Sequence, residues 1–480
     1  MKALFCRRSS LDMVKSNLST KRLVWLGVCA SLLFLISCAK NVPPAQPVHI
    51  TPLTLTPGTT LTPTPVTATD WTMYHANPAR TGYVADTPDP QRLNNLWKQS
   101  LDGAVYAEPL VIGGVVIVAT ENDSLYALDA HTGHTLWHTN VGKPVPLSAL
   151  PCGDIDPLGI TGTPVYDPAT DLVYAVAEIQ GPAHMLVGVS VKTGQVLVRR
   201  LVDAPGSDPQ AHQQRAALAL YQGRVYIAYG GLDGDCSDYI GKVVAANTDG
   251  TGNLLVYQVP TPREGGIWAT PGPVMDGQGN LYVSVGNGEV TSGTWDRSDS
   301  VLKLSPTLKL EDAFAPTSWG EDNAGDADLG SMAPVLLPNG LIYADGKSSN
   351  GYLLQANHLG GVGGQLQTIK ACASFGGAAV SGQSFYIPCT SGVMQFNLSG
   401  QSVGQGWQAP GQVTGSPIIG GQTLYSLDPN DGTLYALNTA NGQVRAKVSV
   451  GQTSRFATPT LYQTTVFVGT MTGVVAVSIV

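Results

Sequence analysis

Charge is scarce in this sequence. Only 12% of its 480 residues are charged, against roughly 25% in an ordinary soluble domain. The small balance is acidic, at −8, with a pI near 5.4, so there is no basic footprint and nucleic acid is not an expected partner. Long apolar runs are lacking as well: the run from Leu23 to Ile36 is too short to span a bilayer comfortably as a permanent helix. No Cys-x-x-Cys-His occurs, which leaves covalent haem without an attachment motif. No Gly-x-Ser-x-Gly turn sits convincingly between a strand and a helix, so a hydrolase nucleophile is unsupported. The histidines at His75, His131, His134, His138, His184, His212 and His358 are scattered. The spacing of His131, His134 and His138 would face a metal on a helix but does not do so on a hairpin, where a surface role is expected. What is abundant is turn-forming residue, with 56 Gly and 33 Pro, the composition of an all-β, secreted chain that folds as one unit.

The N-terminus reads as an address. Lys21 and Arg22 precede the apolar run, which ends in Leu35-Ile36-Ser37-Cys38. This resembles a bacterial lipobox, which implies a lipoprotein signal peptide over 1–37 and lipidation at Cys38. An uncleaved anchor helix is the alternative, and Met13 is an alternative start. Either way the rest of the chain is expected outside the cytoplasm. Residues 38–69 repeat Pro and Thr, as in Thr62-Pro63-Thr64-Pro65, without apolar periodicity. Such a stretch cannot bury enough surface to offset its ordering entropy and is expected to be a flexible tether.

From residue 70 onward the chain repeats. A small residue, then Pro, then an apolar residue recurs at Glu108-Pro109-Leu110, Thr163-Pro164-Val165, Gly272-Pro273-Val274, Ala333-Pro334-Val335, Ser416-Pro417-Ile418 and Thr458-Pro459-Thr460. Degenerate copies stand at Ala217-Leu218-Ala219 and Ala378-Ala379-Val380. After each comes a short β-rich run such as Val173-Tyr174-Ala175-Val176, then often a third such as Leu125-Tyr126-Ala127-Leu128, and in several copies a Thr-Gly or Asn-Gly turn into a fourth. Apolar runs this short, bounded by Gly, Asn and Asp, predict strands buried on both faces. Eight copies predict an all-β, eight-bladed β-propeller of four-stranded blades over 70–480. The last copy ends after its third strand, and Leu96-Trp97-Lys98 matches the missing fourth. The N-terminal segment is therefore expected to close the ring, removing exposed strand edges.

The pattern from Leu125 to Trp137 resembles the pyrroloquinoline quinone (PQQ) propeller repeat, and the resemblance covers nearly all of 105–480. Four cysteines follow Cys38, an even number in an oxidising compartment. The favoured pairs are Cys152 with Cys236 and Cys372 with Cys389, as staples rather than zinc ligands, because no close Cys or His pairs flank them.

The resemblance to PQQ-dependent alcohol dehydrogenases implies a quinone on the axis against Ca²⁺ held by a Glu, an Asn and an Asp. It also implies a further Asp as proton acceptor and, in many members, a vicinal cysteine pair. Asn287 in Val285-Gly286-Asn287-Gly288 and Asp299 in Arg297-Ser298-Asp299-Ser300 match two of these positions, with Asp299 the catalytic candidate if the chain is a dehydrogenase. Both also read simply as turn and strand-end residues. Cys236 stands where the Glu ligand should be, Ile240 replaces the arginine that commonly follows, and no Cys-Cys pair occurs. A second metal candidate is the acidic loop 321–331, through Asp322, Asp326 and Asp328, which suits a hard cation but lacks EF-hand spacing. The expected function is a non-catalytic binding or scaffold propeller, lipid-anchored in the bacterial cell envelope. Its loops at 143–162, 228–240, 286–299 and 314–331 would meet a protein, peptide or glycan, as in the propeller lipoprotein of the bacterial barrel-assembly machinery. The alternative is a calcium- and PQQ-dependent alcohol or sugar dehydrogenase.

Overall fold

The computed structural model describes residues 70–480. The expected signal peptide at 1–37, lipidation at Cys38 and tether over 38–69 fall outside the described residues. No described helix is long and apolar enough to cross a membrane.

Eight sheets of four antiparallel strands form the eight blades, three of them with a short extra strand. The innermost strands are Leu110–Ile112, Val165–Asp167, Ala219–Tyr221, Val274–Met275, Val335–Leu337, Ala379–Ser381, Ile418–Gly420 and Thr460–Tyr462, which define blades 1 to 8. Each begins within two residues of one of the eight sequence copies. In blade 1 the strands Val115–Thr120 and Ser124–Asp129 are buried almost throughout, while the outer strand Thr135–Asn140 is exposed or half-buried along its length. The near-continuous apolar runs are thus the two middle strands, covered on both faces by neighbouring blades.

Two side-chain devices fasten several blades each to the next. Second-strand tyrosines cross the gap: the hydroxyl of Tyr174 donates to the Thr248 carbonyl at 2.8 Å, Tyr226 to Pro306 at 2.8 Å and Tyr386 to Thr439 at 3.1 Å. Outer-strand tryptophans do the same at the rim. The indole of Trp97 donates to the Ala130 carbonyl at 3.1 Å, Trp137 to Val191 at 2.7 Å and Trp407 to Thr439 at 2.8 Å. Each of these rings lies flat on the hairpin glycine of the next blade. A Cβ on Gly133 would sit 2.6 Å from the Trp97 ring, and Gly194 and Gly442 stand likewise beneath Trp137 and Trp407. These turns need glycine twice over, for a φ near +70° and for the ring above it.

The strand Leu93–Ser100 pairs with Gly473–Ile479 and completes blade 8, with Asn94 opposite Ser478 and Lys98 opposite Val475. The apolar core then runs unbroken from blade 7 through blades 8 and 1 to blade 2. Residues 71–84 go further and cross beneath the ring. The Trp71 indole donates to Glu108 at 2.9 Å, and Trp71 bridges Val111. The Thr72 carbonyl accepts from Tyr166, Pro78 from Met275 and Thr81 from Val380. Arg80 donates to the Leu218 carbonyl at 2.8 Å, and His75 holds Ala378 and Thr458 at 3.0 Å each. Tyr83–Val84 finally pairs in parallel with Ile419 and Gly420. The lead-in therefore touches seven of the eight blades and stoppers one end of the axis.

The acidic loop is more ordered than its composition implies. Trp319–Gly325 forms one short helix and Leu329–Ser331 a single 3-10 turn. Glu321 and Asp322 occupy the helix's first turn, where its dipole favours negative charge, and Asp326 ends it in the left-handed conformation.

Candidate functional site

The end of the axis opposite the stopper opens into a cavity of about 520 Å³. Tyr106, Arg215, Trp268, Phe375 and Phe456 line it, each from the segment leading into an inner strand of blades 1, 3, 4, 6 and 8. Three of the rings meet: Trp268 to Phe375 and to Phe456 at 6.3 Å, and Phe375 to Phe456 at 5.9 Å. Arg215, Arg455 and Lys347 bring positive charge to the same cavity. The ammonium of Lys347 lies 5.5 Å from the Trp268 ring centre, pairs with buried Asp328 at 2.9 Å and also pairs with Asp326.

One wall is clamped covalently. Cys152 in the 143–162 loop is bonded to Cys236 in the 228–240 loop, with Cα atoms 6.2 Å apart, over a small apolar cluster of Ile155, Leu158 and Leu232. Cys372 and Cys389 form the other bridge, between blades 5 and 6. Both pairings are those expected from the sequence.

Behind this wall, at the junction of blades 1, 2 and 3, lies a buried acid cluster. Burial pushes Glu121 up to about 8, although the Gly159 amide and Thr161 hydroxyl donate to it. Burial and the nearby charges of Glu121 and Glu178 push Asp123 to about 8 as well, and both its oxygens are without a hydrogen-bond partner. Burial opposes the charge on His184, but Glu178 and Asp203 more than offset it and raise the imidazole to about 9. Its Nδ1 meets Asp203 at 2.6 Å.

The sequence-matched residues fall in different places. Asn287 lines the cavity, but its side-chain amide donates to Glu264 at 3.2 Å. Asp299 is not part of the cavity lining; it is buried behind it, accepts from the Leu329 amide at 2.8 Å and is pushed well above the carboxylate range by burial beside Asp328 and Asp322. Asp322 accepts from the Ser318 hydroxyl at 2.6 Å, and Asp328 accepts from the Gly330 amide at 2.8 Å. Cys236, aligned by the sequence resemblance with the family's Glu ligand, has its sulfur spent in a disulfide. Among the described residues no three His, Cys, Asp or Glu side chains converge to hold a metal ion. The sequence-matched residues Asn287, Asp299 and Cys236 thus do not come together as a calcium donor set. Of the outer-hairpin histidines, His138 stacks on Tyr126 at 4.2 Å and the other two are exposed.

Arg215, Arg455, Trp268 and Phe456 were not singled out in the sequence. Their signal was positional: each stands three to five residues before a repeat's Pro or its equivalent, on the segment that turns toward the axis.

The family described as outer membrane protein assembly factor BamB matches residues 91–228. Polyvinylalcohol dehydrogenase of Sphingopyxis sp. (strain 113P3) is 25% identical over 252 residues, covering 46% of this chain and 34% of that protein, so the chain spans about a third of its relative's length. Among solved structures, the quinohemoprotein alcohol dehydrogenase of Comamonas testosteroni superposes with a TM-score of 0.64 at 14% identity, over 85% of this chain and 80% of that one. A europium-containing methanol dehydrogenase gives 0.67 at 14%, over 86% and 98%. BamB of Moraxella catarrhalis gives 0.56 at 14%, over 80% and 99%. At such identities these structures speak to fold alone. Repeat, ring and the partial match over 91–228 together make the chain similar to the PQQ-type β-propellers, with the fold of an eight-bladed propeller.

Proposed function

We propose that this chain is a non-catalytic binding propeller of the bacterial cell envelope, anchored through lipid on Cys38, that meets a protein or peptide partner at its open funnel. A glycan partner uses the same surface. The observation that carries this reading is the Cys152–Cys236 bridge: Cys236, which the sequence resemblance aligns with the family's Glu ligand, instead ties the 228–240 loop to the 143–162 loop. A sheet ring stoppered at one end and walled by a disulfide-clamped loop pair at the other is a rigid platform, and rigid platforms with grafted loops suit recognition. The match to an assembly-factor family supports a protein partner. The second reading, a calcium- and PQQ-dependent alcohol or sugar dehydrogenase, draws on the relatives' names and on Trp268 and Asn287 at the cavity.

A photo-crosslinking residue introduced at Asp154 or Asp233, on the two funnel loops, should capture a defined partner from native membranes. The same residue at Leu136 or Leu197 on the outer strands should not. Equal capture from all four positions would contradict a funnel-facing partner.

A further inference from the structure

The two arginines of the funnel specify the ligand that the binding reading leaves open, and the inference rests on that reading. The guanidinium carbon of Arg215 lies 4.6 Å from the Phe456 ring centre and that of Arg455 lies 4.9 Å from it. Arg215 also covers Tyr106 at 5.8 Å, and Arg455 covers Phe375 at 5.1 Å. Two cations thus share one aromatic ring, which holds them close and fixes their planes.

Among the described residues neither has a carboxylate within pairing distance. The lysine and arginine ion pairs among the described residues belong to Lys192, Arg263, Lys303, Lys347 and Arg445. Arg215 Nε is buried with no acceptor. Burial pulls its guanidinium below the usual pKa, while Asp154 and Glu121 act in opposition from beyond pairing distance. The cavity's own acids do not supply the missing anion: Asp326 is taken by Lys347, Asp235 accepts from the Tyr239 hydroxyl at 2.6 Å, and Asp154 and Asp233 are exposed. Two like charges held together in a concave, aromatic-floored space, without a counter-ion, are complementary to an anion from outside.

We propose that Arg215 and Arg455, spaced by Phe456, form a two-pronged site for a carboxylate carried on a planar apolar body that lies against Trp268 and Phe375. Guanidinium forks match the two oxygens of a carboxylate, and the three meeting rings supply the apolar floor. A volume near 520 Å³ takes a ligand the size of a substituted bicyclic acid or the last two residues of a peptide. The site needs no metal.

The test is calorimetric titration of the intact chain in EDTA with four probes: 2-naphthoate, 2-naphthamide, and a tetrapeptide ending in Phe as the free acid or as the amide. Naphthoate should bind at least about tenfold more tightly than naphthamide, since a charge-assisted pair is lost in the amide. Arg215→Gln and Arg455→Gln should each weaken naphthoate by about tenfold, while Arg199→Gln in blade 2 leaves it unchanged. Binding of the peptide acid but not its amide identifies a chain terminus as the ligand source; binding of naphthoate alone identifies a free acid. Arg455 is exposed at the rim, so its variant keeps the test valid if Arg215→Gln does not fold. Equal binding of acid and amide, indifference to both arginine variants, or no heat with any probe at millimolar concentration overturns the proposal. Loop crosslinks that survive in Arg455→Gln under those outcomes would leave the binding-platform reading standing without it.

Discussion

Replacing Trp97 with alanine should loosen the ring at its seam. Trp97 is carried on the strand that the chain's beginning lends to its end, and it packs on Phe467 within blade 8 at 5.7 Å between ring centres and on Gly133 of blade 1. Removing a fully buried Trp costs about 3–5 kcal/mol; this ring is half-exposed, so about 2–3 kcal/mol is expected. The Ala130 carbonyl it releases is itself partly exposed and regains water, which adds little. With an unfolding entropy of about 2.1 cal/mol/K per residue over a ring of about 400 residues, the melting temperature falls by only about 3 °C, so a denaturant midpoint is the sharper readout. Leu136→Ala, on an exposed outer-strand side chain, is the control and should stay within about 0.5 kcal/mol. A double-mutant cycle isolates the contact. Gly133→Ala in the native background meets both a positive φ and the indole, whereas in the Trp97→Ala background only the φ cost remains. Additive effects, or a Trp97→Ala midpoint equal to the control's, would refute closure through this latch.

Other consequences follow from the buried groups and the bridges. Glu121, Asp123 and His184 all hold protons more tightly in the folded state, the first two up to about 8 and the third to about 9. Their contribution to stability is complete below the unfolded carboxylate values near pH 4 and is lost as pH rises through 8 to 9, so denaturant midpoints should decline over that window. Asp123→Asn should flatten the decline, and an unchanged slope would show that the cluster is not its source. The Cys152–Cys236 bridge is partly exposed and closes a span of 84 residues, against 17 for the buried Cys372–Cys389 bridge. Mild dithiol should therefore reduce the former first, and loss by Cys→Ser should cost about 4–5 kcal/mol for it against about 3 kcal/mol for the other on the loop-entropy scale; mass mapping that finds Cys372 free first would contradict this. Because Lys347 already pairs with both Asp326 and Asp328, millimolar Ca²⁺ should not shift the melting temperature, and a rise of several degrees would restore that loop as a metal site.

The ring was legible because its physics repeats. An inner-strand entry, led by Pro in six of eight copies, and apolar strands behind it recur around the ring, so each copy corrects the next, and the missing fourth strand of blade 8 pointed straight to Trp97. The disulfides followed from parity and from loops that a ring brings side by side. The funnel was less legible. Asn287 and Asp299 stand near each other in the sequence, yet one reaches the cavity and the other turns behind it, because Asp299 adopts a left-handed backbone that sends its carboxylate to the Leu329 amide. The acidic loop gave no sign of the Lys347 ammonium, which arrives from the second strand's far end in blade 5. Arg215, Phe456 and Arg455 come from blades 3 and 8, a pairing that only the closed ring creates.

The funnel's binding is proposed to involve no redox chemistry of its own. The most direct test of this is reconstitution of the purified chain with PQQ and Ca²⁺, followed by primary alcohols and sugars with an artificial electron acceptor. Dye reduction should be no faster than in the protein-free control, whether or not the quinone is retained. Tight quinone retention with substrate-dependent dye reduction would contradict that proposal.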